Sequence, residues 1–109
     1  MQVYGRAART VIGQRADGIV LFLVTDGDRT LGRGAEMGEV LEIMKNYGAI
    51  NAANLDGGTS TGMTVKNKLI SETTAKAGDY RSRPVSTAFI LEADSSDDGD
   101  YTIIANKLK

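Results

Sequence analysis

Asn54-Leu55-Asp56-Gly57-Gly58-Thr59-Ser60-Thr61 is the stretch from which the rest of the chain is best read. A run of small and apolar residues, Ala49 to Leu55, leads into it, and Met63 and Val65 alternate on the way out. An apolar run that ends in Asp-Gly predicts a strand closing in a turn. Asn54 and Asp56 lie two apart, so a strand would put both on one face. The paired glycines let the backbone bend and let a ligand approach the main chain. Two readings of the carboxylate follow. Asp56 either braces its own turn as an Asx motif, or it stands beside successive backbone N–H groups and the hydroxyls of Thr59, Ser60 and Thr61, which together make an anion-binding nest.

Immediately upstream, Glu36 to Tyr47 has the clearest helical pattern in the chain. Met37, Val40, Leu41, Met44 and Tyr47 recur at helical spacing, and Ile43 broadens the apolar stripe. Glu36 and Glu39 sit where the helix dipole favours anions, Lys45 sits near its negative end, and Gly48 is a natural stop. The methionines read as core filler. Further back, Arg9 to Arg15 is β-branched at positions 10, 11 and 12 and reads as a strand. Asp17-Gly18 predicts a hairpin turn. Ile19 to Thr25 is almost wholly apolar, which predicts a strand buried on both faces. A polar loop runs from Asp26 to about Gly34.

Downstream, Thr61 to Val65 is an expected strand, Lys66-Asn67-Lys68 a turn and Leu69-Ile70 a return strand. Residues 71–82 are polar and read as a surface loop. Val85 to Leu91 is expected as the final strand of the main sheet, with Pro84 at its start. Asp94, Ser96, Asp98 and Gly99 match the opening of a calcium loop, but Ala105 takes the twelfth position, where a carboxylate is needed. Residues 94–109 therefore read as an acidic loop followed by a terminal strand or connector, and residues 1–93 as the domain proper. Hairpins with one substantial helix packed on them predict an α+β fold with a mixed, largely antiparallel sheet.

Composition narrows the chemistry. The 109 residues suffice for one small domain, with 41% hydrophobic and 25% charged residues and a net charge of −1. That balance gives no electrostatic case for nucleic acid or for an anionic membrane. No apolar run approaches the roughly 20 residues of a membrane helix, and the N-terminus lacks the apolar core of a signal peptide. Cysteine and histidine are both absent. Disulfides, Cys-ligated metals and Ser-His or Cys-His nucleophile pairs are thereby excluded within the chain. Acid–base chemistry must use Asp, Glu, Lys or Tyr.

Several blocks, in the same order, carry a family resemblance. They are Arg9-Thr10 with Ile12-Gly13, the Asp17-Gly18 hairpin ending in Asp26-Gly27, the helix from Gly34 to Met44, the block from Gly48-Ala49 through Ser60, and Arg83-Pro84-Val85-Ser86-Thr87-Ala88. Together they span about residues 9–91 and resemble the phosphodiester glycosidase domain family, which includes the mannose-6-phosphate uncovering enzyme and bacterial and phage relatives. Thr59 stands where many members have a third glycine or a serine, and Thr61-Gly62 replaces a more usual Ser/Thr pair. The family domain is usually longer, so the chain resembles its C-terminal part. Three readings follow: the chain is a fragment that lacks the N-terminal portion, it is a minimal version of the domain, or a partner chain or homo-oligomer completes it.

The resemblance implies hydrolysis of a sugar-1-phosphodiester in a glycan or glycoconjugate. No cofactor is expected; Asp56 with Asp26 and backbone carbonyls could ligate a hard cation, but nothing in the spacing demands a metal. It implies an extracellular, cell-surface or virion-associated setting. Asp56 is then the catalytic candidate at the anomeric carbon. Arg9 and Arg83 are candidate phosphate partners, because guanidinium forks match phosphate oxygens. Thr10, Asn54, Gly57, Gly58 and Ser60 complete the expected substrate-binding set. A glycosidase usually needs two carboxylates, and Asp17, Asp26 and Glu36 are the candidates for the second. Each has a plainer role as a turn, loop or helix-start residue, and both arginines have one as solvated strand ends or structural partners of Asp56. Two other functions remain open: a non-catalytic glycan- or phosphate-binding module, and a structural module of a phage or cell-surface assembly.

Overall fold

The computed structural model describes residues 5–27, 33–71 and 84–92. Its main element is a three-stranded sheet in the order β2-β1-β3. Strand β1 is Arg9–Arg15, β2 is Val20–Thr25 and β3 is Ala49–Asn54. Both outer strands pair antiparallel to β1, with Arg9 opposite Thr25 and Val11 opposite both Leu23 and Asn54. They therefore run parallel to each other, and their C-terminal ends emerge on either side of the start of β1. The chain crosses from β2 to β3 through helix α1, Met37–Asn46. The α+β expectation holds.

The β1–β2 hairpin closes as its sequence dictates. Gly18 adopts φ +90°, a region that L side chains rarely enter. The Arg15 N–H donates to Ile19 O at 2.8 Å, and the Ile19 N–H donates to Asp17 Oδ1 at 3.3 Å. Asp17 Oδ2 also pairs with Arg15 at 2.8 Å. Asp17 is thus a working part of its turn.

Helix α1 has Glu36 as its N-cap and Tyr47 as its C-cap, with Gly48 at φ +88° beyond. Val40 and Met44 are buried against Val11 and Ala35, with Leu21, Leu23 and Ala49 around them. Gly13 makes that contact feasible, because a Cβ there would collide with the Met44 methyl. Leu41 departs from the expected stripe and is exposed. One residue on from Val40, it has turned about 100° away from the sheet.

Two strand expectations are corrected. Strand β2 is not buried on both faces: Leu21 and Leu23 turn to the core, while Val20 and Phe22 are exposed. It is an outer strand, and α1 covers one side of the sheet only. A continuous apolar run cannot distinguish this from full burial. Val85 to Leu91 forms no strand, and Val85, Phe89, Ile90 and Leu91 are exposed. A β-patterned segment becomes a strand only where another strand takes up its N–H and C=O groups, and no described strand does so here.

Past β3 the backbone makes a short 3-10 turn, Gly58–Ser60, and then a small hairpin of β4, Thr64–Val65, and β5, Lys68–Leu69. Lys66 and Asn67 both have positive φ, the signature of a tight two-residue hairpin turn. The expected strand from Thr61 is therefore shorter by three residues: Thr61 caps the 3-10 turn, and Met63 bonds to Ser71 and Ile70 outside the β4–β5 ladder. The acidic segment 94–100, the terminal strand, most of loop 71–82 and Arg83 lie outside the described residues.

Candidate active site

The parallel course of β2 and β3 brings two Asp-Gly dipeptides to one end of the sheet. Asp26-Gly27 continues β2, and Asp56-Gly57 follows β3 after Leu55. Between them lies Ala8, only 1% exposed. A Cβ on Gly57 would stand 2.6 Å from Ala8 O, and one on Gly27 would stand 3.0 Å from Ala8 N. Gly57 is needed for its approach to Ala8, whereas a Cβ on Gly27 would meet Gly34 Cα first, at 2.5 Å. Asp-Gly at these positions is therefore more than a turn signal, and β3 does not continue into a hairpin.

Hydrogen bonds fix the Asp56 segment against β1. The Leu55 N–H donates to Thr10 O at 2.8 Å, and the Gly58 N–H to Ala8 O at 2.9 Å. Gly58 has φ +59°. The Ser60 N–H donates to Gly57 O at 3.1 Å and the Thr61 N–H to Gly58 O at 3.0 Å. Three N–H groups of the expected nest are thus engaged within the chain, which leaves those of Gly57 and Thr59 as its remaining backbone candidates. The Thr10 hydroxyl donates to the Thr61 hydroxyl at 3.1 Å, and Thr61 is 1% exposed. Thr61, expected as a hydroxyl of the nest, is instead turned to Thr10. Ala8 is a site-forming residue that sequence reasoning passed over, because it carried no signal.

Asp56 itself is exposed, while Asn54 and Ser60 are half-buried. Arg9, an expected phosphate partner, sits within the fold. Its side chain is buried, and Nε donates to Ala35 O at 3.0 Å and Nη2 to Gly5 O at 2.6 Å. The Arg9 N–H donates to Thr25 Oγ1 at 2.9 Å.

The three candidates for a second carboxylate separate clearly. Asp17 lies beyond the far end of β1, roughly 20 Å from Arg9 at about 3.3 Å per residue. Asp26 follows Thr25, the register partner of Arg9. Glu36 follows Ala35, which forms an isolated antiparallel bridge to Ala7. Asp26 and Glu36 therefore share the Asp56 end of the sheet and Asp17 does not. Glu36 also starts the helix, and its N–H donates to Glu39 Oε1 at 3.4 Å. Glu39 in turn pairs with Arg6 at 2.8 Å. Among the described residues no three metal-ligating side chains cluster, and no helix is long and apolar enough to cross a membrane.

Fold and site define a small α+β domain that presents an exposed aspartate on a glycine-tight loop against its central strand. Compared with known proteins, the profile of the phosphodiester glycosidase family matches residues 1–92. The chain belongs to that family. Among solved structures it is similar to a candidate exported protein of Burkholderia pseudomallei, at 37% identity and a TM-score of 0.60, over 71% of this chain and 15% of that one. It is also similar to a hypothetical protein of Synechocystis, at 35% identity and a TM-score of 0.53, over 63% of this chain and 13% of that one. The chain thus spans less than a sixth of each of these two proteins. No curated protein matches it.

Proposed function

We propose that this chain carries part of the active site of a hydrolase for sugar-1-phosphodiester bonds, with Asp56 acting at the anomeric carbon. The observation that carries the reading is the position of Asp56: an exposed carboxylate on a loop that Gly57 and Gly58 clamp to Ala8. A fixed backbone under a solvent-exposed carboxylate suits a reaction at one carbon. Family membership supplies the reaction class.

The chemistry suits few groups. In the hydrolysis, water adds at the anomeric carbon, the bond from that carbon to the bridging oxygen breaks, and the phosphomonoester keeps the electron pair. Asp56 acts either as base toward the water or as nucleophile. The departing phosphomonoester has its second pKa at about 6, so it leaves without strong acid assistance. Asp26 or Glu36 serves as the second carboxylate. Thr10, Asn54 and Ser60 orient sugar hydroxyls or phosphate, with the N–H groups of Gly57 and Thr59, and Arg83 pairs with the phosphate charge. The similar Burkholderia protein, described as a candidate exported protein, supports an extracytoplasmic setting.

The alternative is a non-catalytic glycan- or phosphate-binding module or a structural module. It is favoured by the internal use of the Arg9 guanidinium and of the Gly58, Ser60 and Thr61 N–H groups. Turnover of an activated sugar-1-phosphodiester by the 109-residue chain and by Asp56→Asn decides between them. Turnover lost in a folded variant supports the hydrolase. Binding without turnover in the unmodified chain supports the module.

A further inference from the structure

Arg9 is one of the two largest fully buried side chains, with 2% of its surface exposed. Taking a guanidinium out of water is expensive, and the cost is met only where its donors are fully used. Here the donors reach across the chain. Nε binds the carbonyl of Ala35, the residue before the helix N-cap, and Nη2 binds the carbonyl of Gly5, where φ is +78°. The backbone N–H holds Thr25 at the end of β2. On the remaining side, the Ala8–Arg9 segment receives the Gly58 N–H and the close approach of Gly57. The entry to β1, the end of β2, the start of α1 and the Asp56 loop all meet at this one residue.

We infer that Arg9 is a positioning residue, which acts through Asp56 by fixing the backbone on which the Asp56-Gly57-Gly58 loop rests, and that it does not touch the phosphate. The fork of the guanidinium is what matters. Nε and Nη2 leave one rigid plane at set angles and reach two carbonyls thirty residues apart in sequence. A lysine ammonium carries the same charge but is a point donor on a flexible stem. Arg9→Lys therefore keeps any electrostatic service to an anion and removes the brace. Only the kinetic part of the test rests on the proposed hydrolase activity.

The experiment has three readouts. In the unmodified chain, NMR exchange of the Arg9 Nε–H with solvent is expected to be at least roughly tenfold slower than that of the exposed Arg15, as burial and a bonded acceptor require. It is expected to be unmoved by inorganic phosphate. In Arg9→Lys, the Gly58 and Ala35 amides are expected to lose protection selectively. Where turnover is present, kcat is expected to fall by up to about 100-fold, the scale of a 1 Å misplacement, with KM and inhibition by inorganic phosphate unchanged. Fast exchange of the Arg9 Nε–H overturns the inference. So does a phosphate-induced shift of its resonance, or a variant that raises KM at constant kcat. If Arg9→Lys does not fold, the Nε–H measurement on the unmodified chain decides alone. If the unmodified chain shows no turnover, catalysis by this chain alone is ruled out, while the exchange and amide readouts still test Arg9.

Discussion

Gly57 lies so close to Ala8 that an added Cβ would stand 2.6 Å from the Ala8 carbonyl oxygen, and the next residue, Gly58, donates its N–H to that same oxygen at 2.9 Å. The two glycines are therefore required for different reasons, and substitution separates them. Gly57→Ala forces backbone against backbone, which no side-chain rotation relieves. It is expected to cost about 1–3 kcal/mol, the usual range for overpacking. Gly58→Ala meets open space but must hold φ +59°, which costs about 1–2 kcal/mol. Urea unfolding of both variants checks the order, with Gly57→Ala the less stable. Equal stability of Gly57→Ala and the unmodified chain would refute the close approach.

Asp56 and Asp17 make a second contrast. Both precede a glycine and both are exposed. Asp56→Asn is expected to lower turnover by about 10²–10⁴-fold, the range for loss of a general acid–base group. Asp17→Asn removes one side of an exposed ion pair with Arg15, worth at most about 1 kcal/mol. Lying roughly 20 Å from Arg9 along β1, it is expected to leave turnover unchanged. Steady-state rates on one sugar-1-phosphodiester substrate compare the two directly. A large loss in Asp17→Asn would place the chemistry at the other end of the sheet.

The contact of helix and sheet is testable through Gly13 and Met44. Met44→Ala opens the core and is expected to cost about 2–5 kcal/mol. Gly13→Ala drives a methyl into the space of the Met44 methyl and is expected to cost about 1–3 kcal/mol. The double variant relieves that collision, so its cost should fall below the sum by about 0.5–3 kcal/mol. Thermal or denaturant unfolding of the four proteins measures the coupling, and strict additivity would contradict the contact.

These residues also show how far the sequence could be read. Helix α1 was legible because its signals are local: a helical repeat, acidic residues at its start and Gly48 at its end. The β1–β2 hairpin was legible for the same reason, through Asp17-Gly18. The exposure of Phe22 and Leu41 was not, because it depends on which side of a three-stranded sheet receives the helix. Arg9 was read as a phosphate ligand because guanidinium suits anions. Its burial depends on carbonyls at Gly5 and Ala35 that only the folded chain brings together. Gly57 was marked for flexibility, yet its role is set by Ala8, which is forty-nine residues away and is not distinctive in itself.

Thr10 and Thr61 join the central strand to the far side of the Asp56 loop through their hydroxyls, 3.1 Å apart. Thr61 is almost completely buried, so replacing the Thr10 hydroxyl leaves that of Thr61 short of a partner where water cannot easily substitute. The half-buried Thr10 is less exposed to that penalty when Thr61 is replaced. Thr61→Val and Thr10→Val are each expected to cost about 1–3 kcal/mol. Removing both hydroxyls removes the unsatisfied group as well, so the double variant should cost less than the sum, with a coupling of about 0.5–1.5 kcal/mol. A double-mutant cycle by urea unfolding measures it. Because the pair fixes where the 3-10 turn returns to β1, the single variants should also increase amide exchange at Ser60 and Thr61 more than at α1. Uniform loss of protection across the chain would instead mean that the pair supports global stability without specifically holding the loop.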